Sequence, residues 1–204
     1  LDVDGTTVAI AGAGPSLEDE LDRAAAADAV FAASTAADRL RAAGVGVDCM
    51  VTDLDKTPET AVELAAEGTP VAVHAHGDNV ALLREYVPRL APVAVLPTTQ
   101  AAPAGPVSNF GGFTDGDRAA FLADALGAAR LTFPGWDLDD ETVGPEKRRK
   151  LAWAERLLAW LEARRGERFA VLDGRRDTID PVDEIVDSST HEARDGRVDA
   201  DDRA

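Results

Sequence analysis

A chain of 204 residues that is 45% hydrophobic is long enough to bury one sizeable core, so a single domain is the first expectation. Its 38 acids against 21 bases leave a net charge of −17, a field that repels nucleic acid and anionic lipid. No window approaches the eighteen or so apolar residues of a membrane span, and the single Cys49, without a His/Cys cluster, offers neither disulfide nor zinc chemistry, so a cytoplasmic protein is expected.

The first β-type run, Thr6 to Ala11, meets Gly12-Ala-Gly-Pro-Ser-Leu17 and then an alanine-rich acidic segment, which predicts strand, glycine turn and helix. Ala29 to Ala33 reads as a second strand, Ala36 to Ala43 as a helix, and Val47 to Val51 as a third strand ending in Thr52-Asp53-Leu54-Asp55. Pro58 opens another helix. Pro70 to His74 is apolar and leads into Ala75-His76-Gly77-Asp78-Asn79, followed by a helix that stops before Pro88. Val93 to Leu96 precedes Thr98-Thr99-Gln100, and a Pro/Ala loop reaches Asn109-Phe-Gly-Gly-Phe-Thr-Asp-Gly-Asp-Arg118, ahead of a helix starting near Asp115. Arg130 to Phe133 and Gly135-Trp136-Asp137 come next, then the longest helical pattern, Glu146 to Arg165, with Leu151, Ala154, Leu157, Leu158 and Leu161 on one face. Phe169 to Leu172 is expected as a last short strand. The chain starts at Leu1 without methionine, so sequence before the first strand is expected.

Short apolar strands alternating with helices predict an α/β domain over residues 1–172, with a mainly parallel, Rossmann-like sheet and helices on both faces. Residues 173–204 are polar and acidic, and are expected to be a partly disordered tail, above all from Asp187 onward. In such a sheet the carboxyl ends of the strands share one edge, where ligands bind. Five polar motifs each closely follow a predicted strand, so they are expected to line one cleft.

Each motif admits two readings. Gly12, Gly14 and Ser16 fit a phosphate-cradling turn, or a strand-to-helix turn capped by Ser16. Asp53 and Asp55 are two hard oxygen ligands at a strand end, suited to Mg²⁺ already bound to phosphates, or simple turn formers. His74 and His76 share a strand face and suit substrate, phosphate or, with Asp78, a transition metal. The bases comprise 18 arginines and only 3 lysines, a bias that with the acid excess predicts a salt-adapted host, where charge repulsion is screened within about 3 Å at molar salt. Lys56 nevertheless sits beside the Asp53 motif, and Lys147 and Lys150 lie at the start of a predicted helix, where the dipole disfavours cations. They read as anion ligands or as a solvated basic face.

Taken together, these motifs resemble the archaeal 6-hydroxymethyl-7,8-dihydropterin pyrophosphokinase family from about Val8 to Leu161, and that family is distantly similar to the catalytic domain of thiamine pyrophosphokinase. The resemblance implies Mg²⁺-dependent transfer of diphosphate from ATP to a reduced pterin, with release of AMP. It further implies Asp53 and Asp55, with Asp115 or Asp117, as metal ligands. Gly12, Gly14 and Ser16 would hold phosphate, Lys147, Lys150 and Arg118 would offset its charge, and Asp78, Asn79, Thr99 and Gln100 would bond pterin or nucleotide. Gly111 and Gly112 would let the backbone approach a ring or phosphate, and His76 or Asp78 would serve as general base. Folate and methanopterin pathways both remain compatible, as does a homo-oligomer. The rivals are a non-catalytic dinucleotide-binding module, which would need an acid after the second strand where Ala33-Ser34-Thr35 has none, and a related enzyme acting on another alcohol such as thiamine.

Overall fold

In the computed structural model, which describes residues 1–180, six apolar runs form strands: β1 (Thr7–Ala11), β2 (Ala29–Ala33), β3 (Cys49–Thr52), β4 (Val71–Ala75), β5 (Val95–Thr99) and β6 (Arg130–Thr132). Every pairing is parallel, in the order β5-β4-β3-β2-β1-β6. The helices are α1 (Leu21–Ala25), α2 (Ala36–Ala42), α3 (Pro58–Ala66), α4 (Val80–Tyr86), α5 (Asp115–Ala125) and α6 (Pro145–Arg165). Alternate strand residues serve two cores. Val8, Ile10, Phe31, Cys49 and Val51 meet α5 and α6, whereas Ala9, Ala11, Val30, Ala32 and Met50 meet the layer of α1, α2 and α3. Burial on both faces is why these strands read as unbroken apolar runs.

The chain steps outward from β1 to β5 one neighbour at a time, then α5 carries it across the opposite face to β6, on the far side of β1. The strand order therefore reverses between β1 and β6, the place where an open α/β sheet usually leaves a ligand crevice. Here the turns after the two strands are bonded to each other. Gly12 N–H donates to the Pro134 carbonyl at 2.9 Å, Gly14 N–H to Gly135 at 2.8 Å, and the Trp136 indole to Ile10 at 2.8 Å. Gly135 has a left-handed φ of 72°, and a Cβ there would stand 2.5 Å from the Gly12 oxygen. Gly135→Ala is therefore expected to cost about 2–4 kcal/mol, measured by urea unfolding.

Phe169 to Leu172 is not a strand. Ala170–Leu172 is a single 3-10 turn, with Phe169 and Leu172 buried against the α5–α6 face rather than at a sheet edge. The Phe169 N–H is taken by Glu162 and its carbonyl by Arg176, so no ladder partner is needed. Past Leu172 the chain stays docked: Arg175 pairs with Glu155, Arg176 with Glu162, and Ile179 packs on the core. The tail expected from Asp187 onward lies outside the described residues.

Candidate active site

The turn after β3 is built around Leu54. Thr52 Oγ1 accepts the Leu54 N–H at 2.9 Å, and Asp53 Oδ1 accepts the Asp55 N–H at 3.1 Å. Leu54 itself is fully buried with φ 69°, a left-handed conformation that costs a branched residue about 1–3 kcal/mol. Burying its side chain offsets that cost and leaves the flanking Asp53 and Asp55 on the outside. Burial works to raise the pKa of Asp53, but its hydrogen bonds with Asp55 and the charges of His76 and Arg118 hold it below the usual carboxylate range. Asp55 moves the other way, raised by burial and by the proximity of Asp53, against the pull of Lys56 and Lys150.

Asn79 stitches this turn to the one after β4. Its amide donates to the carbonyls of Asp53 at 2.9 Å and His74 at 2.7 Å, and its oxygen accepts the His76 N–H at 3.2 Å. Every strong hydrogen-bonding group on this buried side chain is thus used within the protein, a brace rather than a ligand contact. Asp78 is exposed at the loop. The two histidine rings stack 6.3 Å apart, as their spacing predicted, and His76 Nε2 stands 3.5 Å from Asp53 Oδ2. His74 is 2% exposed, with Nδ1 3.1 Å from the Thr98 hydroxyl. That hydroxyl also reaches the Val73 carbonyl at 3.2 Å; when it donates there it accepts from His74 Nδ1–H, and the buried Nε2 has no hydrogen-bond partner. Burial, then the nearby Arg118 charge, push the His74 pKa down to about 4, so the ring is neutral.

At the start of α5 the two aspartates separate by role. Both oxygens of Asp117 are occupied by the N–H groups of Phe113 and Thr114 and by the Thr114 hydroxyl, a capping box that spends this carboxylate inside the fold. Asp115 faces the other way. One of its oxygens has no partner, Arg118 is 3.7 Å away, and burial together with the charges of Asp53 and Asp55 lifts its pKa to about 8. Arg118 is held by Gln100 Oε1 at 3.4 Å and keeps its Nε unpartnered. Gly112, at φ 88°, is pressed against the Arg118 backbone, so its missing side chain already has an internal reason. Gly111 likewise stands over Phe121. Among the described residues, no three His, Cys, Asp or Glu side chains stand close enough to hold a metal ion by themselves.

The remaining expected residues are less available. Ser16 N–H and Oγ both donate to Asp137, at 2.9 and 2.8 Å, so the Gly12–Ser16 turn is latched onto the loop after β6 with its donors engaged. Thr99 Oγ1 bonds the Ala75 carbonyl and the Ala101 N–H, bracing β5. At the head of α6, Lys147 is exposed and Lys150 pairs with Glu146 at 3.1 Å. The charges of Lys150 and Lys56 reach Asp55, and that of Lys56 reaches Glu146. Two of the three lysines therefore converge beside the carboxylates. The sequence patterns placed Asp137 in a strand-end motif without giving it a role, and gave Leu54 none; the one signal for Leu54 was an apolar residue between two acids at a strand end.

Comparison with known proteins identifies the family of the chain. Residues 2–142 match the model of the family described as 6-hydroxymethylpterin diphosphokinase MptE-like. The chain is 43% identical over 179 residues to the 6-hydroxymethyl-7,8-dihydropterin pyrophosphokinase of Methanothermobacter thermautotrophicus, covering 79% of this chain and 76% of that one. The proteins of the same name from Pyrococcus furiosus and Methanocaldococcus jannaschii are 41% and 33% identical, covering 76% and 78% of this chain and 71% and 76% of theirs. With the family model spanning more than half of its length, the chain belongs to the 6-hydroxymethylpterin diphosphokinase MptE-like family.

Proposed function

We propose that the protein transfers the diphosphate of Mg-ATP to the hydroxymethyl oxygen of 6-hydroxymethyl-7,8-dihydropterin and releases AMP, serving folate or methanopterin synthesis. The observation that carries the chemistry is the gathering of Asp53, Asp55 and Asp115 at one strand-end edge, with Asp115 pushed to a pKa of about 8 by burial and then by the charges of Asp53 and Asp55. Mutual repulsion of that kind is relieved by a divalent cation. Mg²⁺ ordinarily takes only one or two carboxylates, with phosphate oxygens and water completing its shell, so a cluster of three protein ligands is not required. When bound, the ion would neutralise charge developing on the transferred group.

The protein's own part is positioning. Asp53 and Asp55 would hold the ion, with Asp115 beside them to answer its charge or a bound water once its proton is displaced; Asp117 is left to its cap. Lys56, Lys147 and Lys150 would offset phosphate charge that a chain of net charge −17 otherwise repels. As the acceptor oxygen bonds to the β-phosphorus, the bond from that phosphorus to the AMP oxygen breaks and the hydroxyl proton leaves. His76, facing Asp53, is better placed to take that proton than the exposed Asp78.

A dinucleotide-binding module is disfavoured, because the N–H groups of Gly12 and Gly14 are engaged by Pro134 and Gly135 and Ala33-Ser34-Thr35 at the end of β2 has no acid. The deciding assay incubates the protein with Mg-ATP and 6-hydroxymethyl-7,8-dihydropterin at high salt. AMP and pterin diphosphate are expected in equal amounts. ADP as the product, or turnover only with thiamine, would sink the proposal.

A further inference from the structure

Two buried side chains each leave one hydrogen-bonding atom without a partner beside the same cleft. His74 Nε2 is an acceptor and Arg118 Nε a donor; their residues are 2% and 8% exposed, and both line a small cleft with Val51, Phe110 and Gly111. Each unmet buried group carries a desolvation cost that a partner would relieve, so the pair is complementary to a ligand edge with one N–H beside one acceptor. With the Thr98 hydroxyl donating to the Val73 carbonyl, it takes the Nδ1 proton in the tautomer that leaves Nε2 as the acceptor, and the Gln100 side chain also reaches this histidine.

We propose that His74 Nε2 and Arg118 Nε read the N–H/C=O edge of the pterin's pyrimidinone ring, which makes His74 a substrate-binding residue that sets specificity for that ring. This rests on the function proposed above. The closed part of the cleft measures only about 10 Å³, so the edge of the ring enters it and the body lies in its open mouth, against Phe110 and Gly111. Arg118 is the charged donor, and a carbonyl oxygen suits it better than a ring nitrogen. Adenine offers an amino N–H beside a ring nitrogen, a related pattern, so the experiment must separate the two substrates.

Fluorescence titration at high salt, without ATP or metal, would compare 6-hydroxymethylpterin with its N3-methyl analogue, which lacks the N–H. The wild-type protein is expected to bind the first at least about tenfold more tightly. His74→Leu should bind both weakly and without preference, His74→Gln should restore part of the preference through its amide oxygen, and ATP affinity should be unchanged in both. Indifference of the wild type to the N3-methyl group overturns the inference and needs no variant to fold. Tight pterin binding by His74→Leu, or a loss that falls on ATP instead, overturns it as well. In each of those cases AMP release by the wild type shows that the enzymatic reading survives; a wild type that neither binds pterin nor releases AMP ends both.

Discussion

Asp115→Asn is expected to lower diphosphate transfer about a hundredfold or more while raising the melting temperature of the metal-free protein by a few degrees. The two effects have one cause. In the folded chain Asp115 is largely buried and shares its surroundings with Asp53 and Asp55, and its pKa stands at about 8 rather than near 4. A group whose folded pKa is raised contributes stability that is fully present below the unfolded pKa and is lost as pH rises through the folded one. Metal-free wild-type protein should therefore lose stability progressively from about pH 4 through pH 8, relative to the Asn variant. Thermal melts in chelator at pH 5, 7 and 9 check the sign: the gap between variant and wild type should widen with pH. A variant that melts lower at pH 9 would mean that Asp115 has a structural partner, and full activity would move the metal site elsewhere.

How much of this was legible depended on how local each feature is. Strand-end placement of the polar motifs followed from alternation of apolar runs and helices, since a parallel sheet puts all carboxyl ends on one edge. The pairing of Gly12, Gly14 and Ser16 with Pro134, Gly135 and Asp137 was not legible. It joins segments about 120 residues apart, and each alone reads as an ordinary turn. The glycines that suggest a phosphate loop are instead required by the approach of another backbone. Phe169 to Leu172 misled for a related reason. Its β-type composition is real, but its backbone groups find side-chain partners in Glu162 and Arg176, which a propensity argument does not see. The lysines were legible as an exception to composition. Arginine, with its planar fork, holds structural pairs such as Arg175 with Glu155, whereas Lys56 and Lys150 sit beside the carboxylates.

Asp117→Ala is expected to do the reverse of the Asp115 change: it should cost about 2–3 kcal/mol, a fall of roughly 5–10 °C in Tm. Its carboxylate answers the N–H groups of Phe113 and Thr114 and the Thr114 hydroxyl, and removing it strands all three at the head of α5. Thr114 and Asp117 stand at the spacing of a capping box, a local signal readable from the sequence. What the sequence did not reveal is that the remaining acid, Asp115, is thereby turned toward Asp53 and Asp55. Burial raises the pKa of both carboxylates, but Asp117 answers three donors of the cap whereas Asp115 faces Asp53 and Asp55, so their substitutions should move Tm in opposite directions. Asp117→Asn, which keeps one acceptor for the cap, should fall between Ala and wild type. Activity measured well below each variant's Tm should be nearly intact for Asp117→Asn and lost for Asp115→Asn. If Asp117→Asn is equally inactive with its Tm preserved, the division of labour between the two residues is wrong.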